Sequence, residues 1–470
     1  MASSNSLTPH PIGSVRELWR ISFPLMISTF ASLLMIFTDR IFLARYSLET
    51  LNASVNAGTL AWAIMGGCGM VTAMSEVFVA QYNGAGKFHR IGSPIWQMIW
   101  FAILSLFLFI PLGIWGGPAY FAHDLYAESE IVYFRWMMFF GPSYALLMAF
   151  AGFFIGRGKT GVMIILAIAA NVLNILLDWV LIFGIKGWVP ELGIQGAAIA
   201  TCTGYVLEAL MLGILFFRKK NREEFGTGQW KLDLSEMGRV CKVGIPQGVF
   251  SCIEVLGWSI FYWMMTSVSE KHITISSICQ SFTILFSFFY DGLSRGAAAV
   301  AGNLIGSAKH ELIEKMFKAG LCLLSLFSIT TALFLVVDSQ DTVRILFFEH
   351  FDGMANVQLD AGTQSALRTC MVCAFLYLFF EGIRWLLSGI LVAAGDTWFL
   401  LLAGSFSVWI FLLLPIYYFI VKLNYSVEFA WILTVFYSAF IVTTYWLRFK
   451  KGAWRNKALV TDEPLELESE

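Results

Sequence analysis

The chain consists mainly of long apolar runs that are separated by short breaks of glycine, proline or charged residues. Each run is about as long as the roughly 20 residues that an α-helix needs to cross the hydrocarbon core of a bilayer. The runs lack the alternation over about ten residues that is typical of membrane β-strands, and lipid cannot satisfy the backbone of an open strand. We therefore predict an all-α integral membrane protein with twelve transmembrane helices, at about residues 17–43, 53–82, 94–116, 131–156, 161–184, 193–217, 240–268, 272–304, 316–337, 364–393, 397–421 and 426–447.

The composition agrees with this pattern and excludes several classes of protein. Hydrophobic residues make up 58% of the 470 positions and charged residues only 13%, whereas soluble domains have about 45–50% and about 25%. The net charge of −1 excludes the basic surface of a nucleic-acid-binding protein. The cysteines are spread through apolar runs, and no zinc-protease or serine-hydrolase motif is found. We expect a membrane protein that is not an enzyme and needs no cofactor.

The basic residues predict the orientation of the chain. Because the number of spans is even, both ends lie on one side of the membrane. About two thirds of the 31 lysines and arginines lie in the ends, the central linker and the loops of that same side. The positive-inside rule then places both termini in the cytoplasm, with the protein in a bacterial inner membrane or a eukaryotic plasma membrane. The loop between spans nine and ten is on the other side and is acidic, with Asp338, Asp341, Glu349, Asp352 and Asp360.

An internal repeat relates the two halves of the chain. Five pairs match at one constant offset of 222 positions, namely Arg20 with Lys242, Pro24 with Pro246, Gly84 with Gly306, Lys87 with Lys309 and Ile91 with Ile313. Gly158 and Thr160 match Gly395 and Thr397 at an offset of 237, which places about fifteen extra residues most simply in the acidic loop. Repeats of six spans run parallel, so we predict two six-helix lobes related by a pseudo-twofold axis along the membrane normal. The predicted parts are an N-terminal lobe at 1–217, a cytoplasmic linker at 218–237, a C-terminal lobe at 238–447 and a cytoplasmic tail at 448–470.

Ionisable residues inside the spans are the candidates for function, because each costs about 2.5–3.5 kcal/mol at the centre of a membrane helix. The intramembrane acids are Asp39, Glu76, Asp178, Glu208, Glu254, Asp291 and Glu381. Asp291 and Arg295 are four positions apart on one helix, which favours a structural ion pair. Glu381 and Arg384 are three apart, and this spacing fits a structural pair and a functional site equally well. The sequence does not decide the role of Glu76.

Two sets of polar residues inside the spans are more informative about function. In the fifth span, Asn171, Asn174 and Asp178 recur at helical spacing and form one polar stripe, and Asp39 lies at a comparable depth in the first span. Glu254 has no basic residue within a helical turn and is the strongest single candidate. A buried carboxyl group that exchanges a proton for a cation makes the preferred state of a two-state protein depend on ion occupancy. This chemistry is typical of ion-coupled transport.

Several motifs together resemble the multidrug and toxic compound extrusion (MATE) family. They are Pro24 followed by Asp39, the stretch Val79-Ala-Gln-Tyr-Asn-Gly-Ala-Gly86, Asn174 with Asp178, Gly193-Ile-Gln-Gly-Ala-Ala-Ile-Ala-Thr201, and Gly244-Ile-Pro246. The resemblance covers nearly the whole chain. It implies a secondary antiporter of the NorM-like or DinF-like kind, in which an organic and often cationic compound leaves while sodium ions or protons enter, by rocking of two lobes.

The resemblance also assigns residues. Asp39, Asn174, Asp178 and Thr201 match the polar cluster that family members use in the N-terminal lobe for cation or proton binding. Glu254 matches an acid that NorM-like members have in span seven, and Glu381 falls where those members have an Asp. Arg384, one turn from Glu381, is placed to neutralise it. The resemblance therefore places the coupling ion, Na⁺ or H⁺, at Asp39 and Asp178 or at Glu254 and Glu381, with Glu76, Asn171 and Arg384 as accessory residues.

The sequence leaves the coupling ion, Na⁺ or H⁺, and the transported compound open. Abundant Phe, Trp, Tyr and Met residues suit a large lipophilic cation, although aromatic residues also face lipid in membrane proteins. A flippase for a lipid-linked sugar precursor is the alternative function, but it would need a basic cavity, and only Arg295 and Arg384 lie clearly inside the spans. An intramembrane enzyme is disfavoured. We expect a monomer whose partners are a small-molecule substrate and the bilayer, with no nucleic acid.

Overall fold

Twelve long helices form the protein in a computed structural model that describes residues 7–337, 361–456 and 459–460. Each predicted span corresponds to one helix, with ends that differ by a few residues. The acidic loop predicted between spans nine and ten lies outside the described residues. The helices are α1 (Val15–Tyr46), α2 (Leu48–Gly84), α3 (Phe88–Phe121), α4 (Ala127–Ile155), α5 (Gly161–Phe183), α6 (Ile194–Phe216), α7 (Leu234–Val268), α8 (Glu270–Gly306), α9 (Leu312–Val337), α10 (Gly362–Ala393), α11 (Thr397–Lys422) and α12 (Val427–Lys451).

A single serine joins the first two helices of each half. Ser47 lies between α1 and α2, and Ser269 lies between α7 and α8, one repeat of 222 positions later. Both serines have an extended backbone, and each hydroxyl group accepts a hydrogen bond from the first turn of the following helix. A side chain that satisfies free N–H groups in this way is a typical N-cap. The chain therefore reverses direction in one residue, and the serine hydroxyl group still accepts a hydrogen bond from a backbone N–H group in the first turn of the next helix.

The repeat seen in the sequence recurs in the backbone. After α2, Gly86 has a φ of 73°, and after α8 Ala308 has a φ of 56° at the equivalent position. The next amide donates the same hydrogen bond in both turns, from Lys87 to the Tyr82 carbonyl (3.0 Å) and from Lys309 to the Leu304 carbonyl (2.8 Å). Positive φ suits glycine and strains alanine. The prediction of two related halves, here the helices α1–α6 and α7–α12, is confirmed at this level.

Two close contacts between the halves show the pseudo-twofold axis directly. A Cβ atom at Gly84 would lie 2.1 Å from the Asn303 carbonyl oxygen, and one at Gly306 would lie 2.1 Å from the Gln81 carbonyl oxygen. Gly84 and Gly306 are one repeat apart, and so are Gln81 and Asn303. The two contacts are thus one contact made twice, as a twofold axis requires. Glycine is needed at both places because the backbones approach too closely for a side chain.

The two halves pack together from the middle of the spans to the membrane face where the described chain begins and ends, which we call the terminal face. The rings of Phe30 on α1 and Phe288 on α8 lie 5.2 Å apart near mid-span. At the terminal face, the Gln81 amide donates to the Ala393 carbonyl (2.8 Å) and the Asn83 amide to Asn303 Oδ1 (2.6 Å). The halves are therefore held together at the terminal face. The residue limits proposed for the lobes, linker and tail stay predictions.

Candidate functional site

The first polar cluster lies inside the first half, where three helices bring four predicted residues together. Asp39 comes from α1, Asn174 and Asp178 from α5, and Thr201 from α6. The Thr201 hydroxyl donates a hydrogen bond to Asp39 Oδ2 (2.7 Å). The Asp178 carboxyl group and the Asn174 amide lie close enough to interact with the Asp39 carboxyl group. Asn174 and Asp178, which share one face of α5, therefore face Asp39, as the sequence suggested.

Several buried atoms of this cluster lack a partner among the described residues. They are Asp39 Oδ1, both carboxyl oxygens of Asp178, and both amide atoms of Asn174. Two neighbouring carboxyl groups without a bound cation repel each other unless one takes up a proton. The donor set of carboxyl, amide and hydroxyl oxygens is also one that a hard cation prefers. The cluster can therefore hold either a proton or a metal cation.

The position of the cluster and its surroundings add detail. Asp39 is seven residues from the end of α1, about 10 Å from the membrane face opposite the terminal face. Asn171 lies nearer the start of α5, before Asn174 and Asp178, and donates to the Ala167 carbonyl (2.9 Å), so it is less closely involved. Tyr133 and Tyr205 interact electrostatically with Asp39. The sequence contains no signal for these two residues, because nothing sets them apart among the 15 tyrosines of the chain.

The second cluster lies in the second half and contains a buried arginine. Arg384 Nε is 2.9 Å from both carboxyl oxygens of Glu381, and its Nη2 is 2.6 Å from Glu381 Oε2. The same Nη2 is 2.6 Å from Glu254 Oε1 on α7. Glu254, which lacks a basic neighbour along its own helix, therefore obtains one from α10. Both acids predicted for a sodium site in this half share one guanidinium group.

The accessible part of this cluster is the Glu254 side chain. Its exposed fraction is 23%, against 4% for the Arg384 side chain and 6% for Glu381. Trp385 Nε1 also donates to Glu381 Oε2 (3.2 Å), so the Glu381 carboxylate is fully hydrogen-bonded. One helical turn beyond Glu254, Trp258 packs edge-on against Tyr377 at 5.5 Å. A partly exposed carboxylate thus lies one helical turn from a pair of packed aromatic rings.

A third ionic contact joins the two halves. Arg295 on α8 lies 3.3 Å from Glu76 on α2, which gives Glu76 a partner that the sequence did not reveal. Among the described residues the expected ion pair between Asp291 and Arg295 does not close to within 4 Å, and these two charges interact only through longer-range electrostatics. Asp291 instead accepts a hydrogen bond from the Thr29 hydroxyl on α1 (2.7 Å). Helical spacing allowed the local pair, but packing of the halves offered each residue a partner on a different helix.

Comparison with known proteins completes this picture. The sequence profile of the MatE family matches residues 24–180 and 246–418, which together are most of the chain. The chain belongs to the MatE family. Proteins of this family are transporters, typically multidrug efflux antiporters, so this MatE protein is a membrane transporter with twelve spans. The family resemblance, the fold and the non-enzymatic character predicted from the sequence are consistent with this assignment.

Solved structures of MATE transporters share the fold of this MatE protein at low sequence identity. A multidrug resistance MATE transporter in an outward-facing conformation is 18% identical with a TM-score of 0.80, over 94% of this chain and 96% of that one. A MATE structure in complex with MaL6 is 18% identical with a TM-score of 0.81, over 97% and 100%. A MOP superfamily transporter from Pyrococcus furiosus, described as having a binding pocket of reverse polarity, is 19% identical with a TM-score of 0.76, over 94% and 97%.

Proposed function

We propose that this MatE protein is a secondary antiporter that exports small organic compounds, mainly cations, in exchange for Na⁺ or H⁺. The observation that carries this proposal is the buried pair of Asp39 and Asp178, which form no hydrogen bond or ion pair with a basic side chain among the described residues, Arg40 acting on Asp39 only through longer-range electrostatics. Such a pair is stable when it holds a proton or a cation and costly when both groups are charged and empty. The free energy of ion binding is therefore available to favour one state of the transporter.

Helix α1 offers a route by which ion binding in the first half affects the contact between the halves. The same helix carries Asp39 and, ten residues earlier, Thr29, which donates to Asp291 on α8. These two positions are about 15 Å apart along the helix axis. A shift of α1 toward α5 and α6 on ion binding would therefore also displace Thr29 relative to Asp291 at the contact with α8. This supports rocking of two lobes as the transport motion.

The direction of transport follows from the orientation of the chain. The halves are packed together at the terminal face, and the distribution of lysine and arginine supports a cytoplasmic location for that face. Under this orientation the structure is closed to the cytoplasm. Export requires the contacts of Gly84 and Gly306 to separate when the protein turns inward, and to form again when it turns outward.

Glu254 is the substrate-facing acid in this proposal. Its partly exposed carboxylate lies one turn from Trp258, whose ring stacks on Tyr262 at 6.1 Å and contacts Tyr377. Aromatic faces beside a carboxylate suit a flat organic cation through cation–π attraction and charge pairing. The alternative function as a flippase for a lipid-linked sugar would use free basic groups, whereas Arg295 and Arg384 are each bonded to acids.

Transport assays in proteoliposomes test the proposal. The purified protein is reconstituted, loaded with a cationic dye, and challenged separately with an inward sodium gradient and an inward proton gradient. We expect one gradient to drive dye efflux, and we expect Asp39→Asn and Asp178→Asn to abolish it. Gradient-driven efflux that survives in both variants would exclude coupling at this pair, and dye movement that ignores both gradients would exclude secondary antiport.

A further inference from the structure

The two acid pairs of this protein differ in one respect that has a consequence for ion coupling. Asp39 and Asp178 in the first half have no basic side chain bonded to them. Glu254 and Glu381 in the second half are bridged by Arg384. We propose that Arg384 is a tethered counter-ion that fills the cation position of the second pair, so that exchange of a dissociable ion is confined to the first pair. The inference rests on the proposed antiport and specifies which of its two acid sites takes part.

The contacts of Arg384 support this role. Its Nε and Nη2 atoms form a fork onto the Glu381 carboxylate at 2.9, 2.9 and 2.6 Å, and Nη2 also reaches Glu254 at 2.6 Å. A planar guanidinium group matches a carboxylate in this bidentate geometry. Each acid is therefore bonded to the same positive group. Without that group, the carboxylates of Glu254 on α7 and Glu381 on α10 would face each other with no positive charge between them.

A tethered group differs from a bound ion in how it can be displaced. Arg384 is on the same helix as Glu381, three residues away, so its local concentration beside the acid does not depend on the solution. Its side chain is 4% exposed and that of Glu381 is 6% exposed, which leaves a competing ion no free approach to Glu381. A sodium ion would have to expel a hydrogen-bonded guanidinium group into a low-dielectric surrounding. Glu381 is therefore closed to ion exchange, and the more exposed Glu254 carboxylate already has the same guanidinium group as its partner.

The proposal also fixes the charge that the second site shows to a substrate. When both acids are ionised, two carboxylates and one guanidinium group leave one net negative charge, and the more exposed carboxylate is that of Glu254. In the transport cycle, the pair of Asp39 and Asp178 then binds and releases the coupling ion, and the cluster of Glu254, Glu381 and Arg384 keeps a constant charge. A chain with two exchangeable acid sites would instead take up cations at both.

Equilibrium binding separates this proposal from transport activity. The variant Arg384→Gln removes the charge but keeps a hydrogen-bond donor, and Arg384→Lys keeps the charge. Arg135→Gln on α4 is the matched control, because Arg135 is exposed. Thermal unfolding in detergent is followed with NaCl, guanidinium chloride at millimolar concentration, or choline chloride at equal ionic strength. The binding of ²²Na⁺ is measured in parallel.

We expect Arg384→Gln to acquire a stabilisation by Na⁺ or guanidinium that grows with the logarithm of ion concentration. The acquired stabilisation should be absent from the wild type, from Arg384→Lys, from Arg135→Gln and from the double variant Glu254→Gln/Arg384→Gln. Adding the substitution Asp178→Asn to the Arg384→Gln protein should remove any ion binding at the first pair. The ion binding acquired at the second pair should remain. An Arg384→Gln protein that is as stable as the wild type and binds no additional cation would overturn the proposal.

A folding failure is also informative. If Arg384→Gln does not fold, the neutral triple variant Glu254→Gln/Glu381→Gln/Arg384→Gln is compared with it. Recovery of a folded protein in the triple variant shows that Arg384 serves to compensate the two acids, as proposed. Failure of both variants assigns Arg384 a packing role and overturns the proposal. Because these measurements do not use transport, they stand or fall separately from the proposed antiport.

Discussion

At the scale of single residues, Asp178 is the side chain whose burial most needs a bound proton or ion to compensate it. It is fully buried, and both of its carboxyl oxygens lack a hydrogen-bond partner among the described residues. Burial of an unpartnered carboxyl group is costly, and uptake of a proton or an ion at the proposed site would offset that cost. A neutral amide of the same size should therefore fit the site without serving its function.

We predict that Asp178→Asn abolishes gradient-driven efflux while leaving the protein folded. The substitution removes the like charge beside Asp39, so the unfolding temperature should stay equal to that of the wild type or rise. Dye efflux from proteoliposomes and thermal unfolding in detergent measure the two effects. Glu128→Gln, at an exposed position at the start of α4, is the control and should transport normally. A strongly destabilised Asp178→Asn protein would contradict this account.

Thr201 gives a second prediction at this scale. Its hydroxyl group donates to Asp39 Oδ2, and a hydrogen bond to a charged group contributes about 1.5–3 kcal/mol. Thr201→Val keeps the shape but removes the donor, so the concentration of coupling ion for half-maximal efflux should change by about tenfold or more. Thr201→Ser keeps the donor and should behave like the wild type. Equal responses of Val and Ser would show that the hydroxyl group is not used.

At the scale of helices, the glycine contacts of α2 and α8 determine whether the terminal face can close. A Cβ atom at Gly84 or Gly306 would lie 2.1 Å from a backbone carbonyl of the other helix, which is far inside van der Waals contact. Overpacking of this kind costs about 1–3 kcal/mol, and here the cost falls on the closed state alone. Such a cost shifts the population of the two states by about 5–150-fold.

We predict that Gly84→Ala and Gly306→Ala each open the terminal face. Spin labels at His89→Cys and Glu311→Cys, which are exposed positions one repeat apart, report the distance between the halves. Both alanine variants should increase the fraction of molecules at the longer distance. Gly161→Ala is the control because a Cβ atom there meets no atom within 4 Å. Distances that do not change in the Gly84 and Gly306 variants would mean that the helices adapt without separating.

The ion pair of Glu76 and Arg295 acts between the same two helices. Removal of one partner of a buried pair costs up to about 3–5 kcal/mol when the other charge is left alone, although Asp291 also acts electrostatically on Arg295 here. We predict that Glu76→Gln and Arg295→Gln each destabilise the closed terminal face, and that the exchange Glu76→Arg/Arg295→Glu restores part of the loss. The same pair of spin labels and a double-mutant cycle measure this coupling. Additive effects of the two single variants would exclude a direct pair.

At the scale of the whole molecule, the architecture could be predicted from the sequence because the architecture depends on properties averaged over many residues, such as hydropathy. Hydropathy identified twelve spans, and a constant offset identified the repeat. Sequence reasoning also placed Asp39 with Asp178, since Asn174 and Asp178 share one face of α5. It did not find the partners of Arg295 and Arg384 on other helices, because helix packing, rather than spacing along one helix, brings Glu76 and Glu254 to them.

The orientation in the membrane gives the prediction for the complete molecule. Trp188 is exposed in the turn between α5 and α6 on the opposite face, and His89 is exposed at the terminal face. With the native cysteines replaced, Trp188→Cys should react with a membrane-impermeant thiol reagent added outside intact cells, and His89→Cys should react only after permeabilisation. The reverse labelling pattern would place the termini outside and reverse the direction of transport.

The glycine contact that is made twice also bears on the origin of the chain. A contact related by a twofold axis is what two identical subunits form, so the backbone preserves the interface of an ancestral pair of equal halves. The acids do not share this symmetry, since Asp39, Glu76 and Glu254 have Phe261, Ala298 and Ser32 at the equivalent positions. The repeat therefore extends to the backbone contacts but not to the residues that carry charge. The two halves present different chemistry on one repeated backbone frame.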